Sequence, residues 1–104
     1  MEKIFLDEYV PEVWKLYLKQ AEEAVKDGEL SNKTKEIIAA AVAIASHCEP
    51  CVKLHIRRAV KAGANAKEIS EMVGVVVMLC GGTAEIWARR IVEREIKSLR
   101  EEES

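Results

Sequence analysis

Apolar residues along this chain return every three or four positions, the spacing of a helix face rather than the alternation of a strand. Trp14, Tyr17, Leu18, Ala21 and Val25 form one such stripe behind Pro11, a residue suited to a first helical turn, and Gly28 stands where that helix should stop. Ser31 is the N-cap candidate for a second helix over Lys33 to Ala45, which is apolar almost without interruption from Ile37 and is predicted to be buried nearly all round. A third helix starts around Cys48 to Pro50 and ends at Gly63. Asn65 and Glu68 have the spacing of a capping box, with Asn in place of Ser or Thr. They open a fourth helix carrying Ile69, Met72, Val73 and the run Val75 to Leu79, up to Gly81-Gly82. The β-branched run alone would also suit a strand, but the cap and the helical neighbours favour a helix. From Thr83 onward Ile86, Trp87, Ile91, Ile96 and Leu99 stripe a long final helix that ends in a solvated tail, Glu101 to Ser104. Trp14 and Trp87, on these stripes, are core candidates.

These elements predict an all-α single domain over residues 1–104 with about five helices, a length that suits one modest core. Helices two and four look apolar on most sides, and five short helices cannot cover two such rods completely. A homo-oligomer is therefore expected, with helix four or its flanks in the interface.

Hydrophobic residues make up 49% of the chain and charged residues 33%, which excludes a disordered or low-complexity segment. The formal net charge is -2 with both signs interspersed, so neither a nucleic acid nor a membrane surface is an expected partner. The apolar stretch near Met1 is too short for a signal peptide and no run approaches the ~18 residues of a membrane span, which points to a cytoplasmic protein. Three cysteines, two of them three positions apart, do not resemble a secreted disulfide framework. The pair suggests redox or metal chemistry instead.

On a helix turning ~100° per residue, Cys48, Cys51 and His55 share a ~60° sector, while Lys53, Arg57 and Lys61 lie across the helix. The thiols are thus expected to face inward and the cations outward. Two sulfurs one turn apart can close a disulfide, and an imidazole one turn beyond the second can take a proton from Cys51. Cys48 sits where the unpaired N–H groups of a helix start favour a thiolate, and Pro50 costs no hydrogen bond there. Zinc sites use the same spacing, so Cys48, Cys51, His55 and a carboxylate could instead hold a metal, or the cysteines could be buried and inert. Val52 in place of a His after Cys51 argues against covalent haem. If helices two and three form an antiparallel hairpin, Glu36 falls ~4.5 Å along the axis from His55, close enough to orient the imidazole. Cys80 reads as a buried small hydrophobe, and Arg57, Arg58, Arg89 and Arg90 as solvated surface charge.

The run Lys35 to Ala45, then Cys48-X-X-Cys51-X-X-X-His55, then Ala59 to Gly63 and Glu68 to Glu71, resembles the carboxymuconolactone decarboxylase/AhpD-like family over roughly residues 30 to 85. The resemblance implies an all-helical trimer or hexamer whose cysteine-bearing branch reduces peroxides or partner disulfides, drawing on a thiol electron donor and no bound cofactor. Carried over residue by residue, Cys51 attacks the peroxide, Cys48 resolves or exchanges with a partner, and Glu36 with His55 relays protons. This chain departs from some AhpD proteins in having Pro50, not His, before the second Cys, and His47 is no obvious replacement. Two other functions remain open: a decarboxylase-type lyase using Glu36 and His55 without thiol chemistry, and a non-catalytic Cys/His metal-binding module.

Overall fold

A computed structural model describes residues 4–103 as six α-helices. They are α1 (Phe5–Tyr9), α2 (Pro11–Ala24), α3 (Asn32–Ala45), α4 (Glu49–Lys61), α5 (Ala66–Cys80) and α6 (Gly82–Glu103). Five of them match the elements read from the periodicity; α1 is additional. Of the N-terminal stretch judged for a signal peptide, Met1 to Lys3 lie outside the described residues, as does Ser104 of the expected tail, through which α6 continues to Glu103.

The caps explain where the helices begin. Ser31 accepts a hydrogen bond from the Thr34 amide, and Asn65 and Glu68 form a reciprocal capping box at the start of α5. Pro11 occupies the first turn of α2 and Pro50 that of α4. The exit from α2 differs from expectation, because the helix ends at Ala24 rather than at Gly28. The intervening backbone is held from outside: Asn32 donates from Nδ2 to the Val25 carbonyl and from its amide to Asp27, and Lys35 donates to the Lys26 carbonyl. Between α5 and α6, Gly81 takes φ 84°, a left-handed conformation that permits the sharp reversal.

The core lies among α3, α4, α5 and α6. Helices α3 and α4 pack against each other along most of their length, α5 lies on α3, and α6 closes over α4 and α5. Ile44, Val52, Ile56 and Ile69 are the largest fully buried side chains, each contributing roughly 1.5–3 kcal/mol of burial. Small residues at Ala40, Ala43 and Ala59 are buried as well.

Several expectations about burial are overturned. Helix α3 is not buried nearly all round, since Ile38 and Val42 face outward, whereas α5 is left partly uncovered as expected, with Val75, Met78 and Leu79 outward. Helices α1 and α2 contain no buried residue, so the Trp14 stripe is not core. Trp14 stacks on Tyr17 of its own helix, with ring centroids 5.1 Å apart. Trp87 is half-buried against the core. Cys80 is exposed, since it continues the outward face of α5 beside Met78 and Leu79. Arg57 is only partly solvated. It pairs with Glu95 of α6, because α6 packs on that flank of α4 and the buried Glu95 carboxylate requires a cation there.

Candidate functional site

The site is built on the α3–α4 hairpin. Glu36, Ala40 and Ala43 recur at i, i+4 and i+7, so the face of α3 that carries the two buried alanines also carries a carboxylate. Glu36 is only 2% exposed. A carboxylate this deep needs a partner, and His55 of α4 provides it, with Nδ1 2.6 Å from Glu36 Oε1. The imidazole side chain is itself 22% exposed, so it links a buried carboxylate to the surface. With Nδ1–H donating to Glu36, Nε2 is the nitrogen left to exchange a proton.

One turn nearer the start of α4 are the two cysteines, joined as a disulfide with Cα atoms 5.2 Å apart. Cys48 is the N-cap residue and Cys51 lies in the first turn; both are half-buried. Opening that bond would leave Cys48 at the positive end of the helix dipole, where a thiolate is favoured. Glu49 beside it pairs with Lys53 across the surface, 3.2 Å away. The sequence-predicted residues Cys48, Cys51, His55 and Glu36 thus come together along one hairpin. Among the described residues, no three His, Cys, Asp or Glu side chains converge as a metal site would need.

A cavity of about 350 Å³ opens beside Glu36. One wall is the α2 stripe Leu18, Ala21 and Val25, and Glu22 and Arg58 complete the lining. Sequence reasoning placed Leu18, Ala21 and Val25 on one face and Arg58 on the surface, but it did not bring them to Glu36. The available signal was the i, i+4, i+7 relation of Cys51, His55 and Arg58, which sets the arginine two turns below the cysteine on the same flank of α4.

Residues 11–94 match the model of the carboxymuconolactone decarboxylase family. Among solved structures, a carboxymuconolactone decarboxylase family protein from Legionella pneumophila superposes with a TM-score of 0.81 at 33% identity, over 89% of this chain and 82% of that one. A family member from Thermotoga maritima, described as having a possible part in an antioxidative response, gives 0.80 at 27% identity, over 88% and 93% of the two chains. Two curated relatives are themselves uncharacterized. One, from Cupriavidus necator, is 30% identical over 67 residues, 64% of this chain and 59% of that protein. The other, uncharacterized protein 4 in the cox locus of Paracoccus denitrificans, is 36% identical over 58 residues, 56% of this chain and 52% of its own length. The match therefore spans only about half to three-fifths of these curated relatives.

Proposed function

The chain belongs to the carboxymuconolactone decarboxylase family, and within it we propose that this member is a thiol-dependent peroxidase or disulfide reductase turning over the Cys48–Cys51 couple. The observation that carries this reading is the disulfide on the first turn of α4 with the Glu36–His55 hydrogen bond one turn below it. The antioxidative description of the Thermotoga maritima relative points the same way.

In the reductive direction the Cys51 thiolate attacks the terminal oxygen of a hydroperoxide. The O–O bond breaks, and the leaving alkoxide takes a proton from His55 and departs as an alcohol. Cys51 is left as a sulfenic acid. Cys48 attacks that sulfur and expels hydroxide, which is protonated to water, and the disulfide closes. A donor dithiol returns two electrons by exchange through Cys48. For a disulfide substrate the same couple runs by thiol exchange without the sulfenic step. Glu36 orients the imidazole through its Nδ1 hydrogen bond, so the relay consists of Glu36 and His55 without a third member at Pro50. Such a cycle fits the reducing cytoplasm, where donor dithiols are available.

Stoichiometric hydroperoxide added to the reduced protein, followed by alkylation and mass spectrometry, tests the reading. Loss of both free thiols at Cys48 and Cys51 is expected; their persistence would overturn it. Undiminished turnover in a Cys48→Ser/Cys51→Ser variant would point instead to lyase chemistry by Glu36 and His55.

We also propose that copies of the chain assemble, as a trimer or hexamer, through the apolar faces of α1, α2 and α5. Phe5 and Leu16 are each 71% exposed and Leu79 is 78% exposed, a surface that water does not favour. A monomeric mass by light scattering at micromolar concentration would overturn this.

A further inference from the structure

Both helices of the central hairpin end in the same hydrogen-bond pattern. At the end of α4 the Gly63 amide donates to the Val60 carbonyl at 3.0 Å and the Ala64 amide to the Ala59 carbonyl at 2.9 Å. At the end of α3 the His47 amide donates to the Ile44 carbonyl at 3.1 Å and the Cys48 amide to the Ala43 carbonyl at 3.0 Å. This closing motif requires a left-handed backbone at one position, which glycine adopts freely. Gly63 meets the requirement with φ 109°. At the matching position of α3 stands His47, with φ 56°, and no other non-glycine residue among those described has a positive φ.

A side chain kept at a position that disfavours side chains calls for a reason, and its contact supplies one. The His47 ring meets the ring of Trp87 edge-to-face, with centroids 4.8 Å apart and planes at 84°. Trp87 belongs to α6 and is packed against the core. The imidazole, itself exposed, therefore links the α3–α4 turn to a ring packed against the core, and the next residue in the chain is Cys48.

We propose that His47 is a positioning residue for the Cys48–Cys51 couple: docked on Trp87, it holds the turn so that the Cys48 sulfur stays beside Cys51 when the disulfide opens. The proposal rests on the redox reading above. Two thiols kept together lose less freedom on re-forming their bond, so the contact favours the disulfide over the dithiol. His47 needs no place in the proton relay for this. It acts through the backbone of Cys48.

The test is the thiol–disulfide equilibrium of Cys48 and Cys51 in dithiothreitol buffers of set ratio, read by alkylation and mass spectrometry. His47→Asn tolerates the left-handed backbone but lacks the ring. It should lower the equilibrium constant for disulfide formation about tenfold, which for a two-electron couple is ~30 mV. Trp87→Leu should lower it to a similar extent, and the double variant no further, because both remove one contact. Trp87→Phe, which keeps a ring at the contact, should restore most of the wild-type value and serves if the leucine variant does not fold. A His47→Asn constant within twofold of wild type, or losses that add in the double variant, would overturn the proposal. Either result, with the wild-type couple cycling normally, leaves the redox reading intact. A wild-type couple that forms no disulfide in any buffer would remove both.

Discussion

Two buried carboxylates face α4 from opposite flanks, and their partners stand two residues apart on that helix. Glu36 of α3 meets His55, and Glu95 of α6, 6% exposed, meets Arg57. Burial sets the same requirement on both, since an unpaired carboxylate in the interior is costly. The partner decides what each pair can do. A guanidinium stays charged at any accessible pH, so Arg57 can balance Glu95, and bridge to Ser98, but cannot hand on a proton. An imidazole loses and gains its proton near neutrality and has a second nitrogen to exchange it. One pair fastens α6 to α4; the other is the proton relay of the proposed cycle.

The sharpest way to break this contrast is to remove proton exchange while keeping a hydrogen bond. Glu36→Gln and His55→Gln should each slow peroxide-driven disulfide formation by about 100-fold or more, the range of general acid–base contributions, when followed by stopped-flow or quenched alkylation. Rates within threefold of wild type would make the Glu36 pair as structural as its counterpart. The converse substitution, Glu95→Ala, should leave that rate within about twofold but lower unfolding stability in denaturant by roughly 1–2 kcal/mol. The figure lies below that of a fully buried ion pair because the Arg57 side chain is 38% exposed and can turn to water. The smallest effect belongs to a third carboxylate, Glu68, held below its ordinary range first by the hydrogen bond from Lys33 and then by the Asn65 amide. A depressed folded-state value means that its contribution is present above the unfolded carboxyl range and fades as pH falls through the folded value. Lys33→Met should therefore flatten the acid limb of the melting-temperature profile slightly, and an unchanged limb would count against the assignment.

The Glu36 pair was legible in the sequence and the Glu95 pair was not, for a physical reason. Glu36, Cys48, Cys51 and His55 lie within two consecutive helices joined by a tight turn, so helical rise and rotation alone bring the carboxylate within reach of the imidazole. Glu95 and Arg57 are 38 residues apart, and each sits among other charges that do stay in solvent. Nothing in local spacing distinguishes the one glutamate of Glu93-Arg94-Glu95 that turns inward; that depends on how α6 crosses α4. The role proposed for His47 was not legible because it rests on a backbone conformation, which residue type does not announce. The capping signals at Ser31 and Asn65 were readable because a cap is a local bargain between one side chain and the amides just after it. The burial of α2 and α3 was misjudged where apolar periodicity was taken as enclosure, although it specifies only which face seeks cover.

The cysteines are only three positions apart. A cross-link restrains an unfolded chain more the longer the loop it closes, rising with the logarithm of its length: the chain-entropy relation gives about 2 kcal/mol here, against nearly 5 for a hundred-residue loop. Most of the folding free energy of this bundle must then come from its packed helices, whether or not the sulfurs are joined. Reduction should leave the helical circular dichroism signal in place. On the proposed cycle the bond would open and close as a chemical event confined to one turn, at a cost of about 2 kcal/mol to an architecture held together by its packed helices.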